Sequence, residues 1–262
     1  MPSNLHPAPV FSIITVVYNG ASFLPGTIDS VRKQNYPHIE YIIVDGASKD
    51  GTVDLILKYA SEMPGLRWIS EKDDGLYDAM NKGLRMATGD FVWFLNCGDQ
   101  LHAPDTVEKL AGMVAPETGV LYGDTLLVND AREPAGLMSE LSTRPLPKKL
   151  SWRSYLGGML VVHQSFVPRR NLAPPYITAN LCADYNWSIE ILKNSPENVY
   201  SGLILTDYLM GGMSKQRHRQ SLRDRFIVMR RHFGLFPTLL AHVCILVRAA
   251  WHALKRLGRT RY

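Results

Sequence analysis

Apolar and polar positions follow two rhythms along the first 115 residues. Phe11 to Val17 (FSIITVV) is a near-continuous β-branched run, as expected of a strand covered on both faces. Ser22 to Gln34 predicts a helix with Leu24, Ile28 and Val31 on one face. Ile39 to Val44 (IEYIIV) predicts a second strand, and Asp50-Gly51-Thr52 a turn and cap. Val53, Ile56, Leu57 and Ala60 then keep helical spacing, and Leu66 to Ser70 predicts a short third strand. Leu76 to Ala87 predicts a helix, ended by Thr88-Gly89-Asp90, and Phe91 to Leu95 (FVWFL) a fourth buried strand. Strands alternating with helices in this way predict an α/β fold, a mostly parallel sheet flanked by helices.

Farther along, the rhythm changes. Val107 to Val114 and Ala183 to Lys193 predict helices. Val120 to Val128, Gly158 to Val162 and Val199 to Thr206 predict strands, with a long loop from Glu133 to Lys149 between the first two. This half reads as an extension of the same sheet within one unit, residues 1–214, followed by a helical tail, 215–262.

Composition narrows the class. Hydrophobic residues are 46% and charged residues 20% of 262, which excludes disorder, collagen and coiled coil as the main state. Cys97, Cys182 and Cys244 stand far apart, so no zinc ribbon or disulfide framework is expected and a reducing compartment fits. The start, MPSNLHPAPV, has neither a basic nor an apolar leader region, so no signal peptide is expected.

Charge is asymmetric. Residues 215–262 carry twelve Lys/Arg and one acid (Asp224), leaving 17 bases and 23 acids for the first 214. An acidic body with a basic tail points the tail at an anionic surface. From Leu235 to Leu257, Phe236, Leu239, Leu240, Val243, Leu246, Val247, Ala250, Leu254 and Leu257 form a helical stripe, with His242, Arg248, His252, Lys255, Arg256 and Arg259 mainly off it. Pro237, His242 and Arg248 interrupt the apolar run, which argues against a spanning helix. The profile is that of a helix lying in a membrane interface, with packing on the protein's own core as the alternative. No nucleic-acid reader pattern accompanies the basic residues, so no nucleic-acid partner is expected.

In open parallel sheets, ligands bind beyond the carboxyl ends of the strands. Those ends carry Tyr18-Asn19-Gly20, then Asp45 to Gly51, then Glu71-Lys72-Asp73-Asp74-Gly75, then Asn96-Cys97-Gly98-Asp99. No Gly-rich dinucleotide or P-loop signature is present. Carboxylates can meet a diphosphate through a hard divalent cation, and an aromatic such as Tyr18 can stack on a base. The set suggests a nucleoside-diphosphate ligand.

These residues carry a resemblance. SIITVVYNG (12–20), IEYIIVDGASKDGT (39–52), WISEKDDGLYDAMNKGLRMATGDFVWFLNCGD (68–99), HQSFVPRR (163–170), CADYNW (182–187) and MGGMS (210–214) resemble the inverting family 2 glycosyltransferases, above all bacterial exopolysaccharide and O-antigen members. The resemblance covers roughly residues 11–214 and implies the GT-A fold, of nucleotide-diphospho-sugar transferase type, with the amphipathic tail appended. It implies a UDP- or GDP-type nucleotide-sugar donor and a glycan acceptor, lipid-linked, at the inner face of the cytoplasmic membrane. It places Tyr18 and Asp45 in the base pocket and Asp73 in the loop facing the nucleoside. Asp99 matches the acid that holds Mn²⁺ or Mg²⁺, and Asp184 the catalytic base. Two departures stand out: Asp45-Gly46-Ala47-Ser48 lacks the usual second acid, and Asn96-Cys97-Gly98-Asp99 keeps only the last acid of the metal motif, so that Asn96 is expected to take part of the donor contact.

Two further residues remain open. Lys82 is either a solvated helix residue or a phosphate contact, and His163 either a structural histidine or a contact to acceptor or leaving group. The rival functions are a sugar nucleotidyltransferase and a non-catalytic membrane-associated nucleotide-sugar-binding scaffold.

Overall fold

The β-branched runs form the centre of the molecule. The computed structural model describes residues 7–211 and 218–259, with side chains for 7–211 and 219–248. The first six residues of the leader expectation, and the 214/215 boundary, lie outside the described residues. β1 (Phe11–Val17), β2 (Ile39–Asp45), β3 (Leu66–Ser70) and β4 (Phe91–Phe94) make a parallel sheet in the order β3-β2-β1-β4. Phe11 lies opposite both Ile39 and Phe91, so β1, β2 and β4 start in step. Between the strands run α1 (Leu24–Arg32), α2 (Thr52–Glu62) and α3 (Leu76–Met86).

Because strand side chains alternate, the sheet builds two cores. Ile14, Val16, Ile42, Val44, Val92 and Phe94 face one of them, which α3 also joins through Ala79 and Met80. Ile13, Val17, Tyr41, Ile43 and Trp93 face the other, with Leu24 and Ile28 of α1 and Ile56 of α2. Gly83 lets α3 approach closely, since a Cβ there would lie 2.4 Å from Ile14 Cγ2.

A mixed sheet continues the first. It contains β5 (Gln100–Leu101), β6 (Thr118–Val128), β7 (Pro134–Leu137), β8 (Phe166–Pro168) and β9 (Glu197–Leu209). β6 runs parallel to β9 and antiparallel to β7 and β8, while β5 pairs antiparallel with β9. An antiparallel bridge between Phe91 and Arg169 joins the two sheets, and the Arg169 guanidinium lies 5.0 Å from the Phe91 ring centre. With these strands go the helices α4 (Thr106–Ala111), α5 (Met138–Leu141), α6 (Ala183–Asn194) and α7 (His218–Phe233).

Three expectations need correction. Residues 158–162 are not a strand: a 3-10 turn over Trp152–Gly157 leads into irregular chain, and the strand is β8. Gly158, at φ 106°, breaks the extended run, while Val161 is buried without joining a ladder. The loop from Glu133 to Lys149 contains β7 and α5, elements too short to show a period. β9 runs to Leu209, three residues beyond the expected end, which brings its tip to Asp99.

The last helix, α8 (Leu235–Arg259), follows α7 across Gly234 at φ 83°. α7 belongs to the core: Val228 and Met229 are buried, Phe233 stacks on Trp152 at 5.4 Å, and His232 Nε2 lies 2.9 Å from Asn186 Oδ1 on α6. Among its described side chains, 235–248, α8 buries only a narrow stripe through Thr238 and Ala241.

Candidate active site

The strand tips of β1, β2 and β3 are tied together by their own loop residues. Ser48 Oγ accepts from Asn19 N (2.7 Å), and Lys49 N donates to Asn19 Oδ1 (2.9 Å). Asn19 and Ala47 adopt left-handed backbone to allow this, at φ 48° and 61°. Asp45 ends β2 fully buried; its Oδ2 accepts from Ser48 N (3.0 Å) and Ser70 Oγ (2.6 Å). Its Oδ1 has no partner, an acceptor left over at the expected base pocket. Tyr18 stands 69% exposed beside it. A Cβ on Gly46 would lie 2.8 Å from Asp73 Oδ2 and 3.3 Å from the Tyr18 ring. The missing second acid thus has a physical reason: Tyr18 and Asp73 already close over position 46.

Asp73 is held by Lys82. Lys82 Nζ donates to Asp73 Oδ1 (2.6 Å) and to Lys72 O (2.8 Å), and pairs with Glu71 (3.0 Å) and Asp78 (3.5 Å). These partners raise the Lys82 pKa above the usual lysine range against the opposing effect of burial. Its ammonium therefore fastens the loop after β3.

The loop after β4 is anchored to α1. Gly98 N donates to Thr27 Oγ1 (3.0 Å), which in turn donates to Asp99 O (2.8 Å). Asp99 is 4% exposed, and both its oxygens accept from protein: Oδ1 from Leu209 N (3.0 Å) and Oδ2 from Gln164 Nε2 (2.8 Å). Burial pushes its carboxyl up to about 7, against the lowering effect of those two bonds. Among the described residues, no three His, Cys, Asp or Glu side chains converge as a ligand set. The described residues do not form a ready-made Mn²⁺ or Mg²⁺ site. Asn96 Oδ1, buried and without a partner, is a neutral oxygen left over on the same loop.

His163 lies in the core and not at the open edge. Its ring is 5% exposed, stacked 5.3 Å from Phe94, and its Nε2 lies 2.6 Å from Tyr176 Oη. Burial drops it to about 4, so it is neutral at physiological pH. Its neighbour Gln164, which sequence reasoning passed over, carries the link to Asp99. No local pattern marks that glutamine, because its partner lies 65 residues away.

Asp184 sits on the first turn of α6. Its Oδ1 accepts from Tyr185 N (2.8 Å) and faces Tyr77 Oη at 3.2 Å. Tyr77 belongs to α3, the helix that follows the Asp73 loop, and it also lies 3.1 Å from Leu181 O. Burial raises the Asp184 carboxyl above its ordinary value, against those hydrogen bonds and the charge of Arg225. A raised carboxylate is the stronger proton acceptor. Tyr77 too was missed: its place in GLYDAMNKG marks a helix start, not a partner 107 residues on.

An exposed ring and an orphaned carboxylate oxygen thus share one sheet edge, with a raised carboxylate tied to the helix that follows the Asp73 loop. Comparison with known proteins gives the family. The model of glycosyl transferase family 2 matches residues 12–173. A PGL/p-HBAD biosynthesis glycosyltransferase of Mycobacterium bovis is 31% identical over 218 residues, 79% of this chain and 80% of its own, and a relative of the same description from Mycobacterium tuberculosis matches to the same extent. Among solved structures, the mannosyltransferase PcManGT of Pyrobaculum calidifontis, in complex with GDP-Man and Mn²⁺, superposes with TM-score 0.68 at 19% identity, over 98% of this chain and 79% of that one. S. aureus TarS 1-349, in complex with UDP-GlcNAc, gives 0.67 at 18%, over 84% of this chain and 64% of that one, so the chain spans under two thirds of it. With its parallel sheet, its strand-tip site and this family match, the chain is a glycosyltransferase of family 2 with the GT-A fold.

Proposed function

We propose that the protein transfers a sugar, with inversion, from a nucleoside-diphosphate sugar to a hydroxyl of a lipid-linked glycan in cell-surface polysaccharide or glycolipid synthesis. The observation that carries this is Asp184: half-buried, its carboxyl raised, and joined through Tyr77 to the helix that follows the Asp73 loop. Asp184 takes the proton of the acceptor hydroxyl, whose oxygen attacks the anomeric carbon. The bond from that carbon to the diphosphate oxygen breaks as the new one forms, and the nucleoside diphosphate leaves with the electron pair. Tyr18 and Asp45 Oδ1 hold the nucleoside, Asp73 closes its pocket, and Asn96 meets the diphosphate side.

Neighbours solved with UDP-GlcNAc and GDP-Man support a donor of the UDP or GDP type. The Mn²⁺ in one of them supports a divalent cation, which would have to take lone pairs left on Asp99 and the free Asn96 Oδ1. It would supply charge neutralisation on the leaving group. Neither the nucleotidyltransferase nor the scaffold reading draws support from the family match.

The lipid-linked acceptor is supported by α8. Phe236, Leu239, Leu240, Val243, Leu246 and Val247 form one face, 47–83% exposed, on a tail with twelve basic residues and one acid. Monomers rarely leave such a patch to water. No helix among the described residues is long and apolar enough to cross a membrane, so α8 would lie on an anionic surface, the cytoplasmic face of the membrane. Donor hydrolysis across a panel of UDP- and GDP-sugars, with Mn²⁺ and with chelator, tests the reading. Absence of turnover with every donor, in the presence of acceptor lipid, overturns it.

A further inference from the structure

A cleft of ≈ 240 Å³ opens between the chain after α5 and the last two helices. Arg144, Arg225 and Arg248 line it beside Ser142, Thr143 and Gly157, and no carboxylate does. Among the described residues none of the three arginines forms an ion pair. Arg144 donates through Nη2 to Ser154 O (2.6 Å), and the Arg248 Nε bond returns to its own helix at Cys244 O (3.4 Å). Two of the guanidiniums converge: a Cβ on Gly157 would lie 2.6 Å from Arg144 Nη1 and 3.3 Å from Arg248 Nη2. Like charges held together without a counter-ion are costly, and Arg144 is lowered from its ordinary value by burial and by Arg248. Guanidinium forks match phosphate oxygens two at a time, so a phosphate between them removes that cost.

Position adds the chemical class. Asp224, the residue before Arg225, accepts through Oδ2 from Leu181 N (2.9 Å) just ahead of α6, and Tyr185 Oη donates to Tyr155 O two residues before Gly157. The cleft therefore lies on the side of α6 that carries Asp184, and the charge of Arg225 acts on both Asp184 and Tyr185. Arg248 also directly follows Leu246 and Val247, 69% and 64% exposed on the apolar face of α8. A ligand in the cleft therefore has a basic pocket, a catalytic carboxylate on one side and an apolar surface on the other. That sequence of environments matches a molecule with sugar, phosphate and hydrocarbon in that order.

We propose that Arg144, Arg225 and Arg248 form an anion site for the diphosphate linking the acceptor sugar to its lipid. The sugar hydroxyl then points toward Asp184 and the hydrocarbon leaves along α8. This rests on the lipid-linked acceptor proposed above.

The test uses full-length protein with its donor site filled by saturating UDP or GDP. Inorganic pyrophosphate is titrated into wild type and into Arg144→Gln/Arg248→Gln. Wild type is expected to bind, and the double variant to bind at least about tenfold more weakly, as for lost charge-assisted hydrogen bonds. Nucleoside-diphosphate affinity should be equal in both. Absence of pyrophosphate binding to wild type, or equal binding by the variant, overturns the site. Loss of nucleoside-diphosphate binding in wild type would instead defeat the donor reading. Arg248→Gln alone, a helix-surface change, serves if the double variant does not fold. Flotation with phosphatidylcholine vesicles, carrying either a long-chain lipid diphosphate or phosphatidylglycerol at equal charge, identifies the source. Wild type should prefer the diphosphate and Arg248→Gln should not. Equal capture of wild type by both vesicles would make the cleft a general headgroup contact and overturn the acceptor assignment.

Discussion

Tyr77 Oη lies 3.2 Å from Asp184 Oδ1, joining a helix that begins two residues after the Asp73-Asp74 turn to the first turn of a helix 107 residues later. Asp184→Asn keeps this geometry but removes the proton acceptor. Transfer should fall by about 10²-fold or more, with nucleoside-diphosphate affinity unchanged. Single-turnover transfer beside calorimetry of UDP and GDP reads both, and near-normal transfer would move the base elsewhere.

Tyr77→Phe gives the pH dependence. The Tyr77 hydroxyl lowers the Asp184 pKa, opposing burial. A base works ionised, so activity rises with pH through that pKa. Loss of the hydroxyl should shift the acid limb of kcat/KM to higher pH and leave the alkaline side largely as it was. An unmoved acid limb would mean that Asp184 is not the group observed.

Lys82→Met separates positioning from phosphate contact. Lys82 already meets Asp73, Glu71 and Lys72 O, so its loss should free the Asp73 loop. Affinity for the nucleoside and for its diphosphate should drop together, by about tenfold. A loss confined to the diphosphate would show direct contact with phosphate.

Asp99→Ala strands two buried donors, Leu209 N and Gln164 Nε2. Each unmet donor costs about 1–3 kcal/mol, so a loss of about 2–6 kcal/mol is expected in urea unfolding. The same variant, titrated with nucleoside diphosphate with and without Mn²⁺, weighs its other expected role. A metal increment that survives would free Asp99 from metal binding; a stable variant that loses the increment would make it a ligand first.

Replacing Phe236, Leu240 and Val247 with Gln should cost the fold little, because all three are mostly exposed. Flotation on phosphatidylglycerol vesicles should lose its salt-resistant part and keep a salt-sensitive one, since only the charges remain. Deletion from Leu235 is the cleaner cut than one before α7, whose Val228 and Met229 are buried. Equal flotation of all forms would show that α8 only completes the fold.

The local rhythm determined much. β1 to β4 and the helices between them were legible because each buries a continuous run or stripe of its own residues, and such burial is written in short-range periodicity. The polar groups at the strand tips were legible for the same reason, since the chain must turn there. β5, β7 and α5 were not, being two to four residues long. The misplaced strand at 158–162 was apolar because Val161 fills the core, a reason that does not require a ladder.

The sequence by itself determined which residues stand at the sheet edge, because spacing along a strand sets where it ends. Only the tertiary structure decided what those residues do there. It turned Lys82 to Asp73, sealed Asp99 between Gln164 and Leu209, stacked His163 into the aromatic core, and set Tyr77 against Asp184. It also gathered Arg144, Arg225 and Arg248, spread over more than a hundred residues, around one cleft. Hydrogen-bond partners and unpaired charges depend on distances across the fold, and no pattern of neighbours along the chain encodes them.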